Sequence, residues 1–132
     1  MMMKRFYCFV LRLFALAVFG FAAFSTGCTS VQVSDDTQGR YRVGELQVFA
    51  DHDFATVVTA VERGFKDLGL FQTKNERKVI EAELTARDAS DTLIIVKLKE
   101  VSKNRVSVKI RYGLTGDLAQ AQKLYQAIEK RF

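Results

Sequence analysis

From Ile80 to Arg87 apolar and polar residues alternate without a break, and they do so again from Arg105 to Tyr112. A period of two belongs to a strand with one covered and one open face. Ile80, Ala82, Leu84 and Ala86 are expected to face a core, as are Val106, Val108 and Ile110. Glu81, Glu83, Thr85 and Arg87 then face outward, with Arg105, Ser107, Lys109 and Arg111. Between these segments lies another strand, Thr92 to Val101, bounded by an Asp88–Asp91 turn and by Ser102-Lys103-Asn104. A short strand from Leu70 to Lys74 precedes them, with a turn expected at Asn75-Glu76-Arg77. Links this short imply an antiparallel meander.

Helical periodicity brackets the meander. Phe54, Val57, Val58, Val61, Phe65 and Leu68 recur at spacings of three and four, one apolar stripe. Asp51 and Asp53 suit its N-terminal cap, and Gly69 suits its stop. A second stripe, Leu118, Ala121, Leu124, Tyr125 and Ile128, predicts a helix from Asp117 to Lys130. Ahead of the first helix, Leu46, Val48 and Ala50 alternate with Glu45, Gln47 and Phe49, so Tyr41–Ala50 reads as one strand. The expected fold is α+β, with a five-stranded, mainly antiparallel sheet in the order β-α-β-β-β-β-α. Two amphipathic helices are expected on one face of it.

The N-terminus has a different composition. Lys4, Arg5 and Arg12 precede Leu13–Phe24, twelve residues without charge, and small residues follow. That is the build of a secretory leader and is short for a spanning helix. The stretch Phe24-Ser25-Thr26-Gly27-Cys28 resembles the processing box of bacterial lipoproteins, although such boxes usually carry Leu where Ser25 stands. The resemblance implies cleavage before Cys28 and lipid on that cysteine. Thr29 follows it where Asp is the familiar inner-membrane retention signal, which implies an outer-membrane location facing the periplasm. Residues 1–27 are thus expected to be a lipoprotein signal peptide. Residues 28–39 are expected to be a lipidated cysteine with a polar tether, and 40–132 a single domain.

Cleavage would leave 105 residues with no thiol beyond Cys28, since Cys8 departs with the leader. The leader removes three of the 20 basic residues and none of the 15 acids, leaving a balance of +2. Near-neutrality argues against a nucleic-acid binder, which shows a strong basic footprint. With one histidine and no free cysteine, neither a metal nor another cofactor is expected.

The stretch Tyr41–Phe132 resembles the DUF 3568 family of small, uncharacterised bacterial proteins, many with lipoprotein leaders. The resemblance rests on Tyr41, Gly44-Glu45-Leu46, Leu68-Gly69-Leu70, the strand Ile80–Arg87, Val96-Lys97-Leu98, Gly113 and Gly116-Asp117. These are glycines and apolar positions that carry a fold, and the family implies no activity. The order of elements is also similar to helix-grip modules in outer-membrane assembly lipoproteins.

Chemistry-bearing constellations are sparse. Asp51-His52-Asp53 joins a histidine to two carboxylates, but capping accounts for the aspartates. Glu81 and Glu83 share a strand face, where opposite-charge pairs with neighbouring lysines and arginines account for them. Leu93-Ile94-Ile95-Val96 is a continuous apolar run, with Ile94 and Val96 facing the helices. Leu93 and Ile95 would face the open side with Phe49, Lys97 and Lys109, as an apolar partner patch ringed by charge. The expected function is that of a noncatalytic, lipid-anchored envelope protein that binds another envelope protein or serves as a structural module. The alternative is a module for a small apolar ligand, held in a helix–sheet cavity lined by Phe54, Val58, Phe65, Leu118 and Tyr125.

Overall fold

The computed structural model describes residues 29–132; Cys28 and the leader lie outside the described residues. The chain runs through β1 (Ser30–Gln32), β2 (Gln38–Arg42), β3 (Glu45–Ala50) and α1 (Phe54–Asp67). It continues through β4 (Phe71–Arg77), β5 (Glu81–Arg87), β6 (Leu93–Ser102), β7 (Arg105–Tyr112) and α2 (Leu118–Glu129). All seven strands join one sheet in the order β1-β2-β3-β7-β6-β5-β4, and every neighbouring pair is antiparallel. Helix α1 leaves the middle of the sheet and returns the chain at the far edge, from which β4 to β7 meander back to β3. The two helices pack on each other and on the same face of the sheet.

The α+β architecture and the helix placement are as expected, but the sheet has seven strands instead of five. Both extra strands come from the N-terminal region. Residues 30–32 pair with residues 38–40, so the polar segment expected as a tether forms a hairpin at the edge of the sheet. The single strand expected over Tyr41–Ala50 is a hairpin, with its turn at Val43-Gly44. Both turn residues have positive φ, 51° and 76°, as a type I′ hairpin turn requires. Valine is a poor residue for that conformation, which is why the turn carries no sequence signal. Gly44 is also constrained sterically. A Cβ on it would lie 2.5 Å from the carbonyl oxygen of Thr115 in the loop that leads into α2.

Strand β4 extends to Arg77, so Asn75–Arg77 is paired sheet and the turn falls on residues 78–80. Glu62 of α1 explains the extension, because it accepts hydrogen bonds from both Asn75 Nδ2 (2.6 Å) and Arg77 Nη2. Ile80, expected inside, is therefore part of the turn and half exposed. The remaining alternation holds. Ala82, Leu84, Ala86, Ile94, Val96, Leu98, Val106, Val108 and Ile110 are all buried beneath the helices.

Helix α1 is capped by Asp53, whose carboxylate accepts from the Thr56 amide (3.1 Å) and hydroxyl (2.6 Å). The Leu70 amide bonds to the Phe65 carbonyl at 2.8 Å, and the helix stops at Gly69 as expected. Asp117 caps α2 in the same way, accepting from the Gln120 amide at 3.1 Å. Each helix buries its apolar stripe: Val57, Val58, Val61 and Phe65 in α1, and Ala121, Leu124, Tyr125 and Ile128 in α2.

Candidate binding groove

The face of the sheet opposite the helices carries the outward residues of every long strand. Register aligns them in rows. Gln47, Lys109, Lys97, Glu83 and Glu76 are successive partners from β3 to β4. Phe49, Ser107, Lys99 and Glu81 form the row beside it. Residues from Gln47 on β3 to Glu76 on β4 line one groove of about 560 Å³. The long side chains of Glu76, Glu81, Glu83, Lys97, Lys99 and Lys109 are among its walls. Phe49 and Val101 supply exposed apolar surface, and Ser107 lies on the floor. Although it points away from the helices, Ser107 is only 5% exposed. Neighbouring long side chains shield it, and it accepts a hydrogen bond from Gln47 Nε2 at 3.0 Å.

Most charges on this face are paired. Lys99 meets Glu81 at 3.5 Å, Arg105 meets Asp51 at 3.6 Å, and Arg111 meets Glu45 at 3.2 Å. Lys74 reaches both Glu76 (3.1 Å) and Glu83 (3.6 Å). Its ammonium is held above the ordinary lysine value, chiefly by the bond to Glu76. Arg105 also stacks over the Phe49 ring, 4.8 Å from its centroid. Lys97 and Lys109 differ. They are direct register partners on β6 and β7, and neither forms an ion pair among the described residues. The other cross-strand neighbour of Lys97 is Glu83, which is occupied by Lys74. Like charges placed directly opposite one another are destabilising, so the centre of the groove holds a cationic pair with no direct acidic partner among the described residues.

Beside this pair is a recess of about 40 Å³, lined by Glu45, Ile95, Lys97, Lys109 and Arg111. Within it, Arg111 Nη2 bonds Glu45 and the Val43 carbonyl. Arg111 Nε, in contrast, is a buried side-chain nitrogen without a hydrogen-bond partner among the described residues.

The residues expected to form one partner patch do not all meet. Phe49, Lys97 and Lys109 line the groove, while Ile95 joins Lys97 and Lys109 at the recess. Leu93 lies on the same face but opposite Arg87, six positions along β6 from the row of Phe49. At a rise of about 3.3 Å per residue that is roughly 20 Å. Alternation correctly assigns the face, but distance along the strand separates Leu93 from Phe49. The groove itself had no linear signal, because its lining residues come from strands that are brought side by side only in the assembled sheet.

The other candidates are taken up by structure. Asp53 caps α1, Asp51 pairs with Arg105, and the His52 ring stacks on Phe132 with centroids 4.4 Å apart. Among the described residues no group of three or more His, Cys, Asp and Glu side chains is placed to hold a metal ion. Of the residues proposed for a helix–sheet cavity, Val58, Phe65 and Tyr125 belong to the core, and Phe54 and Leu118 pack partly buried against it. Burial pushes the Tyr125 hydroxyl far above its ordinary pKa.

A second, polar groove of about 380 Å³ lies between Asp88, Tyr112 and the start of α2. Asp88 accepts from the Ser90 and Thr92 amides and from the Tyr112 hydroxyl (2.9 Å), which hold its carboxyl below the usual value. Burial, aided by that bond to Asp88, pushes Tyr112 up to about 12. These bonds lock the β5–β6 turn to the end of β7.

Two helices on one face of an antiparallel sheet, with a charged face left open, define a small α+β domain with a ligand-sized groove. The chain belongs to the family described as Protein of unknown function (DUF3568), which it matches over residues 10–131. No curated protein matches it.

Proposed function

We propose that this is a noncatalytic, membrane-anchored envelope protein whose domain binds another envelope component through the open face of its sheet. The observation that carries this reading is the groove of about 560 Å³, which sits on the face left bare by both helices. Its volume falls within the usual range for binding pockets, about 300–1,000 Å³. Lipid on Cys28 would hold the chain at the outer membrane, facing the periplasm. The leader composition and the stretch Phe24–Cys28 support the anchor, and the family match, which begins at residue 10, takes in both the apolar run Leu13–Phe24 and Cys28. Two or more acyl chains would make the attachment durable.

The test is purification of the intact chain from its native membranes beside Cys28→Ser and Phe49→Ser/Val101→Ser versions. Lipid on Cys28 is read by mass spectrometry of the N-terminal peptide. The expected result is a lipidated N-terminus and a component lost in the Phe49→Ser/Val101→Ser version. An unlipidated chain, or recovery indifferent to the groove variant, overturns the reading.

A further inference from the structure

We propose that the open face is a site for an anionic amphiphile, with its head between Lys97, Lys109 and Arg111 and its apolar body along Phe49 and Val101. This rests on the reading of the open face as the binding surface and adds the chemistry that it recognises. Three independent observations lead to it. The first is the cationic pair. The other basic side chains of β6 and β7, Lys99, Arg105 and Arg111, each have an acidic partner within 4 Å, whereas Lys97 and Lys109 face each other across β6 and β7 with none among the described residues. An arrangement that costs stability in the empty domain is accounted for when an anion bridges the two ammonium groups.

The second observation is Arg111 Nε. A buried N–H without a partner carries a desolvation penalty and calls for a physical explanation. Arg111 lines the same recess as both lysines, with Glu45 at its side, and about 40 Å³ there is enough for one oxygen of a carboxylate or phosphate. The third is continuity. Lys97 and Lys109 line both the recess and the larger groove, so a head group held by them has its body directed along one surface. That surface offers Phe49 and Val101, which are 38% and 57% exposed. A free phosphate would leave this apolar wall unused, and an uncharged hydrocarbon would leave the lysines unused. The shared chemistry is therefore one anionic head on an apolar body.

The experiment uses the full lipidated chain in nanodiscs of zwitterionic lipid, with empty nanodiscs as the blank. Calorimetric titrations compare decyl phosphate, decanoate, inorganic phosphate and decanol. Decyl phosphate and decanoate should bind, and decanol and inorganic phosphate should bind at least tenfold more weakly. The Lys97→Gln/Lys109→Gln variant should lose roughly tenfold or more in affinity for decyl phosphate, the scale of hydrogen bonds to a charged group. Its melting temperature should equal or exceed that of the unaltered chain, because the like-charge contact is gone. Lys123→Gln/Lys130→Gln, which removes the same charge from α2 and its C-cap, should bind normally. Equal affinity for decanol and decyl phosphate, or undiminished binding by the Lys97/Lys109 variant, would overturn the proposal. So would the absence of binding by any probe. If an envelope component still co-purifies through this face while decyl phosphate does not bind, the anion site is refuted and the docking surface stands.

Discussion

The Thr37 hydroxyl donates a 2.5 Å hydrogen bond to the carboxylate of Glu129, joining residues 92 apart in sequence. Ser34 donates to the same oxygen at 3.2 Å. One helical turn earlier, Gln126 Nε2 bonds the Val33 carbonyl, and a further turn back Gln122 Nε2 bonds that of Gln32, each at 2.8 Å. Residues 122, 126 and 129 share one face of α2 by helical spacing, and that face clasps the β1–β2 hairpin. Val33 completes the clasp by burying its side chain in the core. A segment whose composition suits a tether is thereby part of the domain. Pairing starts at the second described residue, where Ser30 is the register partner of Arg40.

Glu129→Ala should release the β1–β2 hairpin while leaving the rest of the sheet folded. Losing hydrogen bonds to a charged acceptor costs about 1.5–3 kcal/mol. Amide exchange in residues 30–40 should accelerate about 10- to 100-fold, with no comparable change in β6 or β7. Uniform acceleration across the sheet would show that the hairpin does not open separately.

The Val43-Gly44 turn makes a prediction of the opposite sign. Val43 has φ of 51° and is 82% exposed, so its side chain contributes strain with little packing. Asparagine accepts the left-handed region far better, and Asn-Gly is the preferred type I′ pair. Val43→Asn should stabilise the protein by about 1 kcal/mol, the lower end of the cost of a strained backbone position. Urea unfolding measures it, and a fall in the midpoint would contradict the strain argument.

How far these elements could be read from sequence follows from where their information resides. Strands β5, β6 and β7 and both helices were legible because burial of one face imposes a period on consecutive residues. Asp53 and Gly69 were legible because caps and stops are local. Strand β1 was not, since its end, at the carbonyls of Gln32 and Val33, is held by side chains of α2 about 90 positions away. The end of β4 was hidden for the same reason, because Glu62 of α1 draws Asn75 and Arg77 into the sheet. The cationic pair lies between these cases. Alternation puts Lys97 and Lys109 on the open face, but only the register of β6 against β7 sets them opposite each other.

Helix–helix contact is close enough for a single methyl group to register. A Cβ on Gly64 of α1 would lie 2.8 Å from Ile128 Cγ1 and 3.3 Å from the Ile128 backbone nitrogen in α2. Alanine favours a helix over glycine by about 1 kcal/mol. Overpacking costs about 1–3 kcal/mol, and the nearby backbone of α2 limits relief by side-chain rotation. Gly64→Ala should therefore be destabilising on balance, by roughly 1 kcal/mol. Gly64→Ala combined with Ile128→Val, which trims the opposing side chain, should recover part of that loss. Thermal unfolding of the two variants decides between overpacking and propensity.

Stability should also fall in acid, for a reason that can be assigned to particular carboxylates. Asp53, Asp67 and Asp88 all have pKa values lowered from 3.8 in the folded chain. The first owes this mainly to the Thr56 hydroxyl, the second to Arg131 and the third to the Thr92 amide. A carboxyl with a depressed folded pKa binds protons more readily when unfolded. Its contribution is complete above the unfolded value and is lost as pH drops through the folded one. The melting temperature should accordingly be insensitive to these groups near neutrality and decline below about pH 4, as the unfolded carboxyls begin to protonate. Asp88→Asn should lower stability at neutral pH and flatten part of the acid decline, because the titrating group that holds the β5–β6 turn is gone. Melting curves from pH 7 to pH 2 provide the measurement, and an acid slope unchanged by Asp88→Asn would assign the decline to other carboxylates.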